Sequence, residues 1–168
     1  MKVKKLSLAG LFCALAVGGS LFSVPLLGSR CAPVQHCVNV LCAVLLGPWW
    51  ALGAAFVASL LRNLLGLGSL LAFPGSMFGA LLAGLAYGRF QVISAALVGE
   101  VVGTSLLGGL SAYPLATFFM GQGGKVAFYS YVFPFFLSTA AGALVAGLVL
   151  FALERSGFVQ SMRRALKE

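Results

Sequence analysis

Long apolar stretches alternate with short polar or glycine-rich breaks along the whole chain. The pattern predicts six helices, at about residues 6–27, 36–47, 49–64, 75–87, 91–110 and 128–153. The second and third divide one apolar block, His36 to Leu65, at Gly47-Pro48, because proline lacks a backbone donor and glycine permits a turn. A basic amphipathic tail, 154–168, follows the last helix.

The breaks between the predicted helices differ in character. Pro25 interrupts the first apolar run, and a polar loop from Gly28 to Gln35 separates it from the second helix. A glycine-rich loop, Gly66 to Pro74, precedes the fourth helix, which Gly88-Arg89 ends. An irregular aromatic segment, Ser111 to Gly124, is expected between the fifth and sixth helices.

Composition identifies the solvent of these helices. The chain has 168 residues, of which 61% are hydrophobic and 8% charged, and its mean hydropathy is +1.06. A soluble domain of this length cannot bury so much apolar surface, whereas a bilayer solvates it. We therefore predict an all-α integral membrane protein with a single membrane domain, 1–168. The second and fourth helices are shorter than the ~20 residues that a span needs, so we expect tilting, shielding by neighbours or extension into the loops.

The net charge of +8 fits a membrane topology. Six helices place both termini on one side, together with Lys2, Lys4, Lys5, Arg89, Arg155, Arg163, Arg164 and Lys167. The opposite side holds Arg30, Arg62 and Lys125. By the positive-inside rule, the termini are cytoplasmic. Because the basic residues lie at segment ends and form no stripe with interleaved aromatics, the charge predicts contact with the lipid bilayer and no nucleic-acid partner.

One carboxyl group lies within this apolar sequence. Glu100 is the only acid in the first 153 residues, inside the apolar stretch from Val92 to Leu110. A charged carboxyl at membrane depth costs about 2.5–3.5 kcal/mol on insertion scales, so it faces a protein cavity by default. Thr104 follows one helical turn later on the same face. Glu100 and Thr104 are therefore the first candidates for substrate binding.

The other candidate substrate-binding residues share the outer half of the predicted bundle, opposite the termini. They are His36, Asn39, Arg62, Asn63, Phe73, Ser76 and Tyr113. The cytoplasmic half has few polar groups, so the asymmetry favours a solute pocket open to the exterior. Simpler interpretations stay open: Arg62 snorkels to the interface, His36 satisfies a loop carbonyl, or Glu100 forms a structural pair with Arg62. Phe73-Pro74-Gly75 is equally interpretable as a helix start.

Small residues recur at four-residue spacing and indicate close helix packing in lipid. On the first helix, Gly10, Ala14 and Gly18 form such a face. Most of these faces pack within the molecule. The face on the first helix is also a candidate docking surface for another membrane subunit.

Enzyme chemistry has little support in the sequence. The chain has one His, no Asp, no Gly-x-Ser-x-Gly and no P-loop, so we predict no enzyme and no cofactor, and assign any ATP-driven step to another chain. Cys31, His36 and Cys37 lack a fourth ligand for a metal, so no metal is predicted. Cys31 and Cys37 either pair in an oxidising compartment or remain free thiols.

Several motifs together resemble one known family. They are His36-Cys37-Val38-Asn39-Val40-Leu41, Leu46-Gly47-Pro48, Leu61-Arg62-Asn63, Ala72-Phe73-Pro74-Gly75-Ser76, Gly99-Glu100-Val101-Val102-Gly103-Thr104 and Ala112-Tyr113-Pro114. Over about residues 5–155 the chain resembles the ThiW family, substrate-binding S components of energy-coupling factor (ECF) vitamin transporters.

The resemblance implies a substrate and partners. The S component would bind hydroxyethylthiazole, the thiazole precursor of thiamin, from outside the plasma membrane of a prokaryote. A transmembrane T subunit and two cytosolic ATPases would then use ATP to drive its release inward. In S components a small-residue face on the first helix, often Ala-x-x-x-Ala, meets the T subunit. Gly10, Ala14 and Gly18 match that small-residue character without the alanine pair.

A small, flat, neutral ligand with a hydroxyl group suits the candidate residues. Phe73 or Tyr113 would stack on its ring, and the amide and hydroxyl side chains would bond its hydroxyl or ring nitrogen. Glu100 would accept a hydrogen bond if ionised and donate one if protonated. The alternatives are an S component for thiamin or its pyrimidine precursor, a stand-alone carrier or channel, and a membrane subunit without a ligand.

Overall fold

The computed structural model describes residues 2–26, 29–121 and 127–166. Apart from one short hairpin and the connecting turns, this part of the chain is helical, as the all-α class predicts. The helices are α1 (Lys2–Gly19), α2 (Pro33–Leu46), α3 (Pro48–Leu64), α4 (Ala72–Phe90), α5 (Ile93–Val102), α6 (Gly109–Phe119), α7 (Val132–Arg155) and α8 (Phe158–Ala165). A π-helical segment, Gly103–Gly108, joins α5 to α6.

The first helix is shorter than predicted, and a β-hairpin takes the place of its end. α1 stops at Gly19 and is followed by one 3-10 turn, so the prediction of a helix to about residue 27 is wrong. Strand β1 (Val24–Leu26) then pairs antiparallel with β2 (Ser29–Cys31). Pro25 suits this extended segment, because proline lacks an amide donor and pushes the preceding residue into an extended conformation. Leu27 and Gly28 lie outside the described residues.

Prolines begin the next two helices. α2 starts at Pro33, ahead of the predicted start at His36, so the predicted polar loop overlaps its first turn. α3 starts at Pro48. Proline suits these positions because the first amides of a helix have no partner within it. Gly47 separates the two helices with φ 94°, a conformation that other residues rarely adopt.

The fourth helix extends beyond its predicted range of 75–87 at both ends. α4 begins at Ala72, since Pro74 fits within the first turn, where amides have no intrahelical partner. It continues to Phe90 and ends at Gln91, which has φ 54°. The Gln91 side chain donates to the carbonyl of Tyr87 at 3.0 Å, which stabilises this helix end.

The fifth helix is the largest departure from the sequence prediction. α5, the π segment and α6 form one apolar helix, Ile93–Phe119, instead of ending near residue 110. The predicted irregular segment is therefore helical as far as Phe119. Pro114 lies inside α6, which is consistent with the tolerance of membrane helices for proline, whose freed backbone groups are satisfied by neighbouring helices and local helix adjustments. Residues 122–126 lie outside the described part.

The last long helix and the tail bring the two ends of the chain together. α7 begins at Val132, after the predicted start near residue 128, and runs to Arg155. Within the predicted tail, α8 places Arg163 over the ring of Tyr87 at 5.0 Å. Lys4 Nζ donates to the carbonyl of Ala165 at 3.3 Å. The termini therefore lie at the same end of the bundle; Lys167 and Glu168 are outside the described residues.

Within the described residues, three helices are long and apolar enough to cross a membrane. They are Lys2–Phe22, Ile93–Phe119 and Val132–Arg155. Large apolar side chains such as Leu144 and Leu148 on α7 are 68% exposed, as expected for contact with lipid. The shorter α2 lies in the interior, packed against α1, α3, α4 and α7. The chain is thus a helical membrane protein with a central short helix.

Glycines on the helix Ile93–Phe119, called the long helix below, let it approach α4 closely. A Cβ on Gly103 would lie 2.5 Å from the carbonyl oxygen of Phe78, and one on Gly99 would lie 2.7 Å from that of Leu82. A Cβ on Gly108 would lie 2.5 Å from Gly75 Cα. Because backbone atoms fill the space that a Cβ would need, the small-residue spacing seen in the sequence acts here as internal packing.

We expect Gly103→Ala to destabilise the fold by about 1–3 kcal/mol, because a methyl group would separate the two backbones. The measurement is the thermal unfolding midpoint of the detergent-solubilised protein. Gly53→Ala is the matched control, since Gly53 also lies inside a helix but has nothing within 4 Å of its Cβ position. Equal midpoints for the two variants would contradict the close-packing argument.

Candidate functional site

A fully buried carboxyl group organises the interior near one end of the bundle. Glu100 on α5 has 0% of its surface exposed, and three side chains approach its Oε1 atom. His36 Nδ1 lies at 2.8 Å, Asn39 Nδ2 at 3.2 Å and Thr104 Oγ1 at 3.3 Å. A buried carboxyl needs such partners, because its desolvation is otherwise costly.

Helical spacing brings these four groups together. His36 and Asn39 are three residues apart on α2, and Glu100 and Thr104 are four apart on the long helix, so each pair shares one helix face. The two faces meet where α2 crosses α5. Five of the residues predicted from the sequence, these four and Ser76, are therefore brought into one connected polar cluster.

The start of α4 completes the cluster through its backbone. Asn39 uses its amide group twice, donating to the Ser76 carbonyl at 3.2 Å as well as to Glu100. Thr104 Oγ1 lies 3.1 Å from the Gly75 carbonyl, so its single proton is directed at either this oxygen or the carboxyl. Gly79 is packed against Thr104 Oγ1, and its Cβ position is 2.8 Å from Glu100 Cδ, so only glycine fits there.

The second carboxyl oxygen has no such partners. Glu100 Oε2 is buried, and it has no hydrogen-bond partner among the described residues. The recorded ion pair of Glu100 is with His36, so the alternative of a structural pair with Arg62 is wrong. His36 Nδ1 contacts this carboxyl group, and not the loop carbonyl that was the simpler interpretation of His36.

A second polar chain links three helices beside the cluster. Gln35 Nε2 donates to Ser59 Oγ at 3.1 Å, and Ser59 Oγ lies 2.8 Å from Ser76 Oγ. These contacts join α2, α3 and α4. Gln35 and Ser59 were not among the predicted site residues; the polar side chain of Gln35 at the start of α2 was the available signal, whereas Ser59 had none.

A small cavity of about 30 Å³ opens beside this polar chain. It lies where α2 and α4 begin and α3 ends, at the opposite end of the bundle from the termini. Its lining is Arg30, Ala32, Gln35, His36, Arg62, Ser69, Ala72, Gly75, Ser76, Thr104, Phe135 and Ser138. A space of this size holds about one water molecule, so a ring-sized ligand requires the lining to move apart.

Arg62 lines this cavity from the last turn of α3. Only 2% of its surface is exposed, so it does not snorkel to an interface. Its Nε atom is buried and has no hydrogen-bond partner in the described part of the chain. Arg30, on β2, lines the same cavity and donates from Nη1 to the Leu67 carbonyl at 3.1 Å.

Three predicted site residues belong neither to the polar cluster around Glu100 nor to the cavity lining. Asn63 Nδ2 donates to the carbonyls of Ser59 and Ser69, at 2.9 and 3.0 Å, and so holds the turn after α3. Phe73 packs against another phenylalanine, Phe56, at 5.7 Å between ring centroids. Tyr113 contacts Phe128 edge to face at 5.3 Å.

The aromatic wall of the cavity is instead Phe135, at the start of α7. It was missed because it lies within an apolar, phenylalanine-rich run in which no residue is distinctive. One turn along, Ser138 Oγ accepts a hydrogen bond from the amide of Ala32 at 2.9 Å and ties α7 to the start of α2. The four cysteines are free thiols, including Cys31 and Cys37.

The predicted partner face lies on the outside of α1. Gly10, Ala14 and Gly18 are exposed, and nothing lies within 4 Å of the Cβ positions of the two glycines. Gly10 and Ala14 border a wide apolar groove between α1 and α3, which also includes Trp49 and Gly53. The face is therefore unoccupied by other helices of the described chain.

The fold and the site together define a helical membrane protein with a small polar cavity enclosed within its bundle. A family model, described as thiamine-precursor transporter protein (ThiW), matches residues 6–156. The chain belongs to this transporter family, which confirms the family predicted from the motifs. No match was found among curated proteins or among solved structures.

We expect Glu100→Ala to destabilise the protein by about 3–5 kcal/mol, since it removes the acceptor shared by His36, Asn39 and Thr104. Glu100→Gln should cost less, because its carbonyl oxygen still accepts. Thermal unfolding in detergent measures both. Glu154→Gln, at the other end of the bundle, is the control; an Ala variant as stable as that control would show that the buried cluster does not support the fold.

Proposed function

We propose that this chain is the substrate-capture component of an ECF importer and binds hydroxyethylthiazole from outside the cell. A T subunit and two ATPases would supply the ATP-driven release, since the chain has no P-loop. The observation that carries the proposal is the enclosed polar cavity, lined by Ser76, Thr104 and Phe135, in a member of a thiamine-precursor transporter family.

The orientation follows from where the charges and the cavity lie. The termini share one end, where Lys4 contacts Ala165 and Arg163 contacts Tyr87. Basic residues are concentrated there, so this end is cytoplasmic in a plasma membrane by the positive-inside rule. The cavity lies at the opposite end and would therefore receive its ligand from the exterior.

The lining of the cavity suits a neutral ring compound better than a cation. Phe135 offers an apolar face for the ring, and Ser76, Thr104 and Gln35 offer hydrogen-bonding groups for a hydroxyl or ring nitrogen. The charged lining residues include two arginines but no carboxylate, because Glu100 lies behind the wall. A cationic ligand such as thiamin would face repulsion there, which favours the thiazole precursor over thiamin.

A proton-coupled carrier acting alone is the second candidate. The buried His36–Glu100 contact, at 2.8 Å, is the kind of intramembrane proton-holding pair that such carriers use. The two functions differ in their need for partners. Uptake of labelled hydroxyethylthiazole should disappear in cells that lack the ECF ATPases if the chain is a capture component, and should persist but stop with a protonophore if it is a carrier.

We expect purified, detergent-solubilised protein to bind hydroxyethylthiazole more tightly than thiamin or the pyrimidine precursor in isothermal titration. Thr104→Val should weaken binding, because it removes a hydroxyl at the cavity wall while keeping the side-chain shape. Thr117→Val, which alters a hydroxyl outside the cavity, is the matched control. Preference for thiamin or the pyrimidine, from folded protein, would contradict the substrate assignment.

A bulky residue on the outer face of α1 should block uptake without changing ligand binding. We expect Ala14→Trp to abolish ATP-dependent uptake in cells with the partner subunits, because its side chain would block the exposed small-residue face. Binding by the purified variant should stay unchanged. Leu144→Trp, at a position of α7 that is 68% exposed, is the control. Normal uptake with Ala14→Trp would place the partner interface elsewhere.

A further inference from the structure

Arg62 is a buried cation with no counter-ion among the described residues. The chain has no acid before residue 154 other than Glu100, and the recorded ion pair of Glu100 is with His36. Glu154 is on the last turn of α7, at the end of the bundle that holds the termini. A guanidinium group with only 2% of its residue surface exposed is normally paired, because burying an unpaired charge is costly.

The carbonyl groups near Arg62 are engaged elsewhere. The Arg62 carbonyl accepts from the Leu67 amide at 2.8 Å, and the Leu61 carbonyl accepts from the Leu65 amide at 3.0 Å. The Ser59 carbonyl accepts from Asn63 Nδ2 at 2.9 Å. Each of these carbonyls already accepts one hydrogen bond, and Arg62 Nε has no partner among the described residues.

The other arginine in the cavity lining adds to the positive field at Arg62. Arg30, on the hairpin, lines the same cavity, and His36, from α2, is the remaining titratable lining residue. No carboxylate is part of the lining. Ser69 and Ser76 add hydroxyl groups beside the two guanidinium groups. Fork-shaped guanidinium donors with neighbouring hydroxyls are the chemistry that recognises phosphate or carboxylate oxygens.

We propose that Arg62, assisted by Arg30, is an anion-binding subsite of the substrate cavity. This inference rests on the proposed function. The protein then takes ring alcohols that carry an acidic group, a phosphate ester above all, and binds them more tightly than the neutral alcohol. The ring packs on Phe135, while the acidic group supplies the acceptor that Arg62 lacks.

Isothermal titration of the folded, detergent-solubilised chain tests this with two ligands, hydroxyethylthiazole and its phosphate monoester. We expect the ester to bind at least about tenfold more tightly in wild type, because it pairs a desolvated charge. Arg62→Gln should abolish the difference between the two ligands, because the ester loses the cation that pairs with its phosphate. Arg89 is an exposed arginine in the last turn of α4, away from the cavity. Arg89→Gln is therefore the matched control and should preserve the tighter binding of the ester.

Two further measurements keep the test decisive. Arg30→Gln, at an exposed position, should reduce the preference for the ester even if Arg62→Gln does not fold. Inorganic phosphate should compete with the ester if the subsite holds the substrate's own group. If phosphate instead strengthens binding of the alcohol, the subsite holds a free anion beside the neutral ring.

The outcomes separate this inference from the proposed function. Equal, measurable affinities of wild type for the alcohol and the ester, with no effect of phosphate, would overturn the anion subsite and leave the capture function standing. Absence of binding for both ligands, from protein shown to be folded, would overturn both.

Discussion

The burial of one carboxyl group constrains the rest of the structure. Glu100 is fully buried in a membrane protein, so its carboxyl group needs hydrogen-bond partners from the protein. His36 and Asn39 from α2 and Thr104 from the long helix meet at a single oxygen. α4 must then approach closely, which glycine at position 79 allows. One acid thereby fixes the relative positions of three helices and the start of the cavity.

The cavity presents cationic and not anionic side chains to a ligand, because Arg62 lines it and Glu100 does not. The carboxyl group lies behind the wall and is held by hydrogen-bond donors, whereas Arg62 lies in the wall and its Nε has no acceptor in the described part of the chain. A ligand therefore meets guanidinium groups, hydroxyls and the ring of Phe135 before any carboxylate. This arrangement is the basis for our proposal that the cavity takes a neutral or anionic ring compound in preference to a cation.

The sequence predicted the parts of this site that follow from strong local rules. The cost of a carboxyl in lipid singled out Glu100, and helical spacing added Thr104. Phe135 and Ser59 could not be predicted, because they reach the site only through the packing of distant helices. The predicted irregular segment from Ser111 was wrong, because the helix continues through Pro114, which membrane helices tolerate. Pro25 lies in the hairpin that follows the first helix, where an extended conformation suits it.

The most direct test is to locate the bound thiazole in a structure of the complex, using anomalous scattering from its sulfur atom. The account predicts the sulfur inside the cavity between α3, α4 and α7, with the ring against Phe135 and a polar atom within hydrogen-bonding distance of Ser76 or Thr104. A sulfur position in the groove between α1 and α3, or on the outer surface of the bundle, would contradict it.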